Sequence, residues 1–162
     1  MSSSSELPGD ARRLQAFIGT WIVRGALLDD EERYPIAGEW TFQSAADGFG
    51  VSGTMTTEIE GSGSLAEREL IGYDFDSGLI HMFSMNRLAI RDHIGGWHGE
   101  TLVARYTSSD GTTEEEFRVR FPEPDRMLAS VAEHTNGRLT LTTELTLHRV
   151  QSASQSDTSD SA

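Results

Sequence analysis

From Trp21 to Arg149 the chain repeats one pattern: short runs in which apolar and polar residues alternate, separated by turn-forming residues. Phe117, Val119 and Phe121, for example, alternate with Glu116, Arg118 and Arg120, the period of a strand with one face buried. The pattern predicts strands at 21–28, 38–44, 50–59, 64–73, 79–86, 90–97, 100–106, 113–121, 126–134 and 139–149. Asp47-Gly48, Asp76-Ser77-Gly78, His98-Gly99, Asp110-Gly111 and Asn136-Gly137 separate them, and each suits a tight hairpin. About ten strands joined by hairpins predict a single all-β, antiparallel, up-and-down β-barrel, because closure removes the unpaired edges of such a sheet. One helix is predicted at 11–18, capped by Asp10, with Leu14, Phe17 and Ile18 on one face and Gly19 at its end. Two turns of helix are unstable alone, so it must pack on something, as a plug over one barrel end.

Turn positions assign faces. A two-residue turn at Asn136-Gly137 pairs His134 with Leu139. That register groups Leu128, Ser130, Ala132 and His134 with Leu139, Leu141, Thr143, Leu145 and Leu147, and the leucines mark this face as inward. A turn at His98-Gly99 pairs Trp97 with Glu100, and puts Arg91, His93, Trp97, Leu102 and Tyr106 together; aromatic bulk favours this face as the inner one. If Tyr73 pairs with Ile80, Glu67, Glu69, Ile71, Tyr73, Ile80, Met82, Ser84 and Asn86 share a face, and Arg68, Leu70, His81, Phe83 and Met85 share the other. Neither of these two is cleanly apolar, so the pattern leaves open which points inward.

Composition narrows the chemistry. The 162 residues suffice for one domain, read as 10–150, between Ser-rich tails at 1–9 and 151–162 that are expected to be disordered. The absence of cysteine excludes disulfides, zinc–thiolate sites and thiol nucleophiles. A net charge of −13, with arginine the only cationic residue besides histidine, argues against nucleic acid as a partner. It fits a salty cytosol or a GC-rich bacterial or archaeal genome equally well. The N-terminus lacks the features of a signal peptide, and no apolar run is long enough for a spanning helix, so a cytoplasmic location without membrane contact is expected.

Three stretches carry a resemblance. Phe17-Ile-Gly-Thr-Trp21 resembles the opening of calycin-type barrels, where Gly-x-Trp starts the first strand. Gly72-Tyr-Asp-Phe-Asp-Ser-Gly78 and Gly96-Trp-His-Gly-Glu-Thr-Leu102 resemble successive hairpins of a bacterial lipocalin-like family of unknown function. The resemblance spans about 14–150 and implies a barrel with an interior cavity, but no activity. The first motif is also similar to the haem-binding nitrobindins, which carry an interior histidine on the last strand. Here that strand's inward face is leucine and His148 falls on the other, so no haem or other cofactor is expected.

Candidate chemistry is whatever polar side chain alternates inward. Arg91, His93 and Tyr106 form one candidate cluster, suited to an anionic or phenolic ligand. His134 is a second candidate, at the rim. Glu69, if inward, is a candidate general base, since desolvation raises a carboxyl pKa. Trp21, Trp40, Tyr73 and Trp97 are candidate ligand-contacting aromatics. Each has a plainer alternative: a hydrogen-bonded core histidine, a surface ion pair, a solvated carboxylate, or barrel filling. Glu114-Glu115-Glu116 reads as a solvated strand entry. No metal site is expected, since the histidines lack helical i, i+4 spacing; Gly61-Ser-Gly63 lacks the following helix a phosphate loop needs, and no Gly-x-Ser-x-Gly elbow occurs. The leading expectation is a module binding a small, largely apolar or aromatic molecule. The alternatives are a barrel enzyme of isomerase or cyclase type using His93, His134, Glu69 or Tyr73, and a homodimer joined through an outer face bearing Phe83 and Met85.

Overall fold

A computed structural model of the chain describes residues 7–151. Helix α1 spans Gly9–Arg13 and runs into a 3-10 turn at Leu14–Phe17. Ten strands follow: β1 (Gly19–Asp29), β2 (Glu32–Ala45), β3 (Gly50–Ile59), β4 (Gly63–Asp74), β5 (Leu79–Asn86), β6 (Ile90–His98), β7 (Thr101–Thr107), β8 (Thr113–Glu123), β9 (Arg126–Thr135) and β10 (Arg138–Arg149). Each pairs antiparallel with its neighbours in sequence, and β1 pairs with β10 from Trp21↔Arg149 to Asp29↔Leu141, closing the barrel. The predicted barrel is therefore the observed one, strand for strand.

The helix differs in detail. Pro8 occupies the N-cap and no side chain caps the helix, so Asp10 lies inside the first turn rather than before it. There its charge still favours the positive helix end. Residues 8 and 9, read as tail, belong to this structured start, whereas 1–6 and 152–162 lie outside the described residues.

The plug packs into the core through fully buried side chains. Leu14, Phe17 and Trp21 are fully buried. Phe17 meets Phe42 and Phe121 edge-on, at centroid distances of 5.3 and 5.0 Å. The Trp21 indole donates to the Phe17 carbonyl at 2.8 Å, and Arg149 lies over its ring at 4.2 Å. Arg149 also donates to the Ala16 carbonyl at 3.0 Å, tying the end of β10 to the plug. Arg13 covers Trp97 in the same way, at 3.9 Å from the ring centroid. Two inward glycines let the wall curve tightly. A Cβ at Gly95 would lie 1.9 Å from the Val103 carbonyl oxygen, and one at Gly53 would lie 2.4 Å from the Phe42 ring.

Two registers depart from the turn-based reading. Asn136 and Gly137, both at positive φ, form the predicted two-residue turn, and His134 does pair with Leu139. Beyond that pair a β-bulge intervenes, and Leu141 faces Glu133. One extra residue reverses the parity of everything beyond it. The inward residues of β9 are therefore Met127, Ala129, Val131 and Glu133, paired with Leu147, Leu145, Thr143 and Leu141. Leu128, Ser130, Ala132, His134 and Leu139 face outward, and Leu139 is half exposed. Thr140, the bulged residue, donates to the Glu133 carbonyl at 3.2 Å. At the other hairpin His98 pairs with Thr101, so the turn is Gly99-Glu100. That slip of two residues leaves Trp97 and Leu102 on the predicted inner face.

Candidate functional site

The helix closes one end of the barrel, and the other half of its interior is not filled. A cavity of about 370 Å³ lies there, within the roughly 300–1,000 Å³ range of ligand pockets. Its walls are mainly apolar, with Ile36, Trp40, Met55, Ile71, Met82 and Phe117 among them, and Leu88 and Ala89 of the β5–β6 turn stand at its mouth. Polar groups enter from two sides.

One group comes from β4. Tyr73 pairs with Ile80, so the face left undecided by the pattern, with Glu67 and Glu69, is the inner one. Asn86 donates to Glu67 at 2.5 Å. Glu69 is different: its Oε2 is shut off from solvent and accepts no hydrogen bond. Burial, and then the charge of Glu67 beside it, raise the Glu69 carboxyl well above the ordinary carboxylate range. The Trp40 indole N–H lies near enough to pull slightly the other way, but its geometry makes no hydrogen bond, and Trp40 Nε1 is also buried without a partner.

The second group comes from β6, β8 and β9. Arg91 pairs closely with Glu115 and lies 3.5 Å from Glu133. His93 Nε2 lies 2.9 Å from the other Glu115 oxygen. Tyr106 packs beside both, with ring centroids 5.7 Å from His93 and 5.4 Å from the Arg91 guanidinium. Burial, followed by the Arg91 charge, lowers the His93 pKa to about 4, against a hydrogen bond with the Met82 backbone that acts to raise it. The ring is therefore neutral at physiological pH, with a single N–H to share between the Met82 backbone and Glu115.

The structure thus brings Arg91, His93 and Tyr106 together as the alternation predicts, and adds Trp40 and Glu69 across the cavity. It removes others. Trp21 and Trp97 belong to the plugged end, and Tyr73 packs edge-on against Phe75 there, at 6.4 Å. His134 is on the outside because of the bulge, and His148 is exposed. Glu115, read as solvated, is only 6% exposed and holds the second cluster together. The alternation that makes Phe117 and Val119 inward already implied this for Glu115, two residues earlier. Glu133 was hidden by the bulge. Among the described residues no group of three His, Asp or Glu side chains is placed to hold a metal ion. A further depression, about 490 Å³, lies on the outer surface, where Arg33, Arg118 and Arg120 mix with Glu144. It lacks buried polar groups and carries no comparable chemistry.

No protein-family model and no curated protein matches this chain. Solved structures do match it in shape. The S-type phycobiliprotein lyase CPES from Guillardia theta superposes with a TM-score of 0.65 at 12% identity, over 86% of this chain and 92% of that one. A redesigned β-barrel, mFAP0, bound to DFHBI, gives 0.51 at 14% identity, over 83% of this chain and all of the other. EF1p2_mFAP2b bound to DFHBI also gives 0.51 at 14%, over 88% and 100%. At these identities the likeness shows the closed antiparallel barrel, consistent with the calycin-type reading, and no more than the fold.

Proposed function

We propose that the protein binds a small, largely apolar aromatic molecule inside the barrel. The observation that carries this reading is the cavity itself: about 370 Å³, closed at one end by the plug, apolar in its walls and polar at two defined places. Two of the similar barrels are described with the small molecule DFHBI bound, which supports a barrel of this shape as a container. The test is uptake of the neutral dye Nile red by the full chain, followed through its emission and through quenching of tryptophan. Ser84 lines the cavity with a small side chain, so Ser84→Phe, filling the space, should abolish the emission gain while the circular dichroism spectrum stays unchanged. No uptake, or uptake untouched by Ser84→Phe, would overturn the reading.

Glu69 favours a second reading, acid–base catalysis on the bound molecule. A carboxyl whose pKa is raised by burial, with one oxygen that accepts no hydrogen bond, is the kind of group such chemistry requires. Under it, Glu69→Gln removes turnover but leaves uptake of the substrate intact.

A further inference from the structure

We infer that the cavity selects a compact aromatic cation, a protonated amine, amidine or N-heterocycle on a flat apolar body, anchored at the Glu69 carboxyl beside Trp40. This rests on the binding reading above and specifies its ligand.

The unmet polar groups point to it. Among the described residues, four buried side-chain atoms lack a hydrogen-bond partner: Trp40 Nε1, Glu69 Oε2, Asp92 Oδ1 and Arg126 Nε. The first two belong to cavity-lining residues on one wall, and Trp40 is only 1% exposed. Of these, Glu69 Oε2 is an acceptor that a ligand bearing N–H groups would satisfy, whereas Trp40 Nε1–H is itself a donor close to Glu69, so Trp40 offers such a ligand its ring face and not its N–H.

The opposite wall needs nothing. Arg91 is engaged by Glu115 and Glu133, and His93 by Glu115. No cation there is free to receive an anionic ligand. The cavity holds four carboxyl groups, from Glu67, Glu69, Glu115 and Glu133, against the single guanidinium of Arg91. An anion would be repelled by that balance, and a purely apolar molecule would leave Glu69 unmatched. A cation supplies N–H donors to the carboxyl, and an aromatic wall such as Trp40 adds cation–π attraction.

The groups facing Glu69 fix the proton balance. They are Glu67 on its own strand, Trp40 on β2, Met55 on β3, Ser84 and Asn86 on β5, and Arg91, His93, Glu115 and Glu133 across the cavity. Without a ligand, burial and then the charge of Glu67 raise the Glu69 pKa and so favour its protonated form. A ligand that arrives as a cation keeps its own proton and displaces this one, which leaves to solvent. Binding therefore releases a proton, and affinity rises with pH while the ligand stays protonated.

The test uses three probes of one shape on the full chain: 2-naphthylmethylammonium, 2-naphthylmethanol and 2-naphthoate. Calorimetry at neutral pH in buffers of differing ionisation enthalpy reads affinity and proton release together. The ammonium should bind roughly tenfold tighter than the alcohol, a difference of about 1.4 kcal/mol, with naphthoate weakest, and only the ammonium should release a proton. Glu69→Gln, nearly isosteric, should erase the roughly tenfold preference for the ammonium over the alcohol and abolish the proton release. Equal binding of ammonium and alcohol, a preference that survives Glu69→Gln, or no proton release overturns the inference and leaves the binding reading standing. If Nile red and all three probes fail to bind, both fall.

Discussion

The two halves of the barrel are built from the same ten strands and carry opposite interiors. At the plugged end the inward positions hold Trp21, Phe42, Leu102, Val119 and Leu147, all 2% exposed or less. The polar atoms brought in with them are bonded: the Trp21 indole to Phe17, Arg149 to the carbonyls of the plug. In the other half, the same alternation delivers Glu67, Glu69, Arg91, His93, Glu115 and Glu133 around empty space. The backbone ladder closes around both, broken by register shifts at Thr140 and between Arg120 and Glu123, so the contrast lies mainly in the side chains. One half supplies the apolar burial that holds the barrel closed. The other spends part of that stability on groups a ligand can use, as expected of binding sites.

Substitutions can separate the halves. The largest effect is expected from Trp21→Ala, which opens a void beneath the plug and should cost about 3–5 kcal/mol, read as a lowered midpoint in urea. The same truncation at Trp40, which is buried but lines the cavity, should in addition impair Nile red uptake.

The next effect is pH-dependent. The His93 pKa is about 4 in the fold, below the 6.5 of an ordinary imidazole. A depressed pKa means stability that is fully present above 6.5 and lost as pH falls toward 4, up to on the order of 3 kcal/mol. His93→Phe should flatten that part of the stability–pH curve, measured by denaturation at a series of pH values. A slope unchanged by the substitution would place the acid sensitivity elsewhere.

Glu69 should behave with the opposite sign. Its raised pKa means stability that is present at low pH and lost as pH rises through the folded value. Glu69→Gln should therefore stabilise the empty barrel by about 1–3 kcal/mol at neutral and alkaline pH, and have little effect in acid. A residue that weakens the empty protein when ionised, and is needed for cation binding, would mark the cavity half as the functional one.

The smallest effect is expected at His134. It faces outward beside an exposed turn, so His134→Ala should shift stability by no more than about 0.5 kcal/mol and leave dye uptake unchanged. A loss of uptake would contradict the register that places it outside.

How much of this the residues announced depends on distance along the chain. Alternation and turn chemistry are local, and they located all ten strands, the closed barrel and the plug. They also grouped Arg91, His93 and Tyr106, because within a strand parity is counted directly, and a hairpin slip of two residues preserves it. The same counting reached Glu115, whose inward place follows from Phe117, although three consecutive glutamates suggested solvent. Counting failed at His134 and Glu133, because the bulge at Thr140 adds one residue, and parity across a hairpin changes with every such addition. On β4 and β5 neither face looked like a core, since the inner one carries two glutamates and the outer one Leu70, Phe83 and Met85. The sequence by itself determined the architecture, since strand period and turn propensity are properties of neighbouring residues. Only the tertiary structure decided which glutamates enter the barrel and which of them stays unpaired, because burial and partnership depend on what the closed wall places opposite.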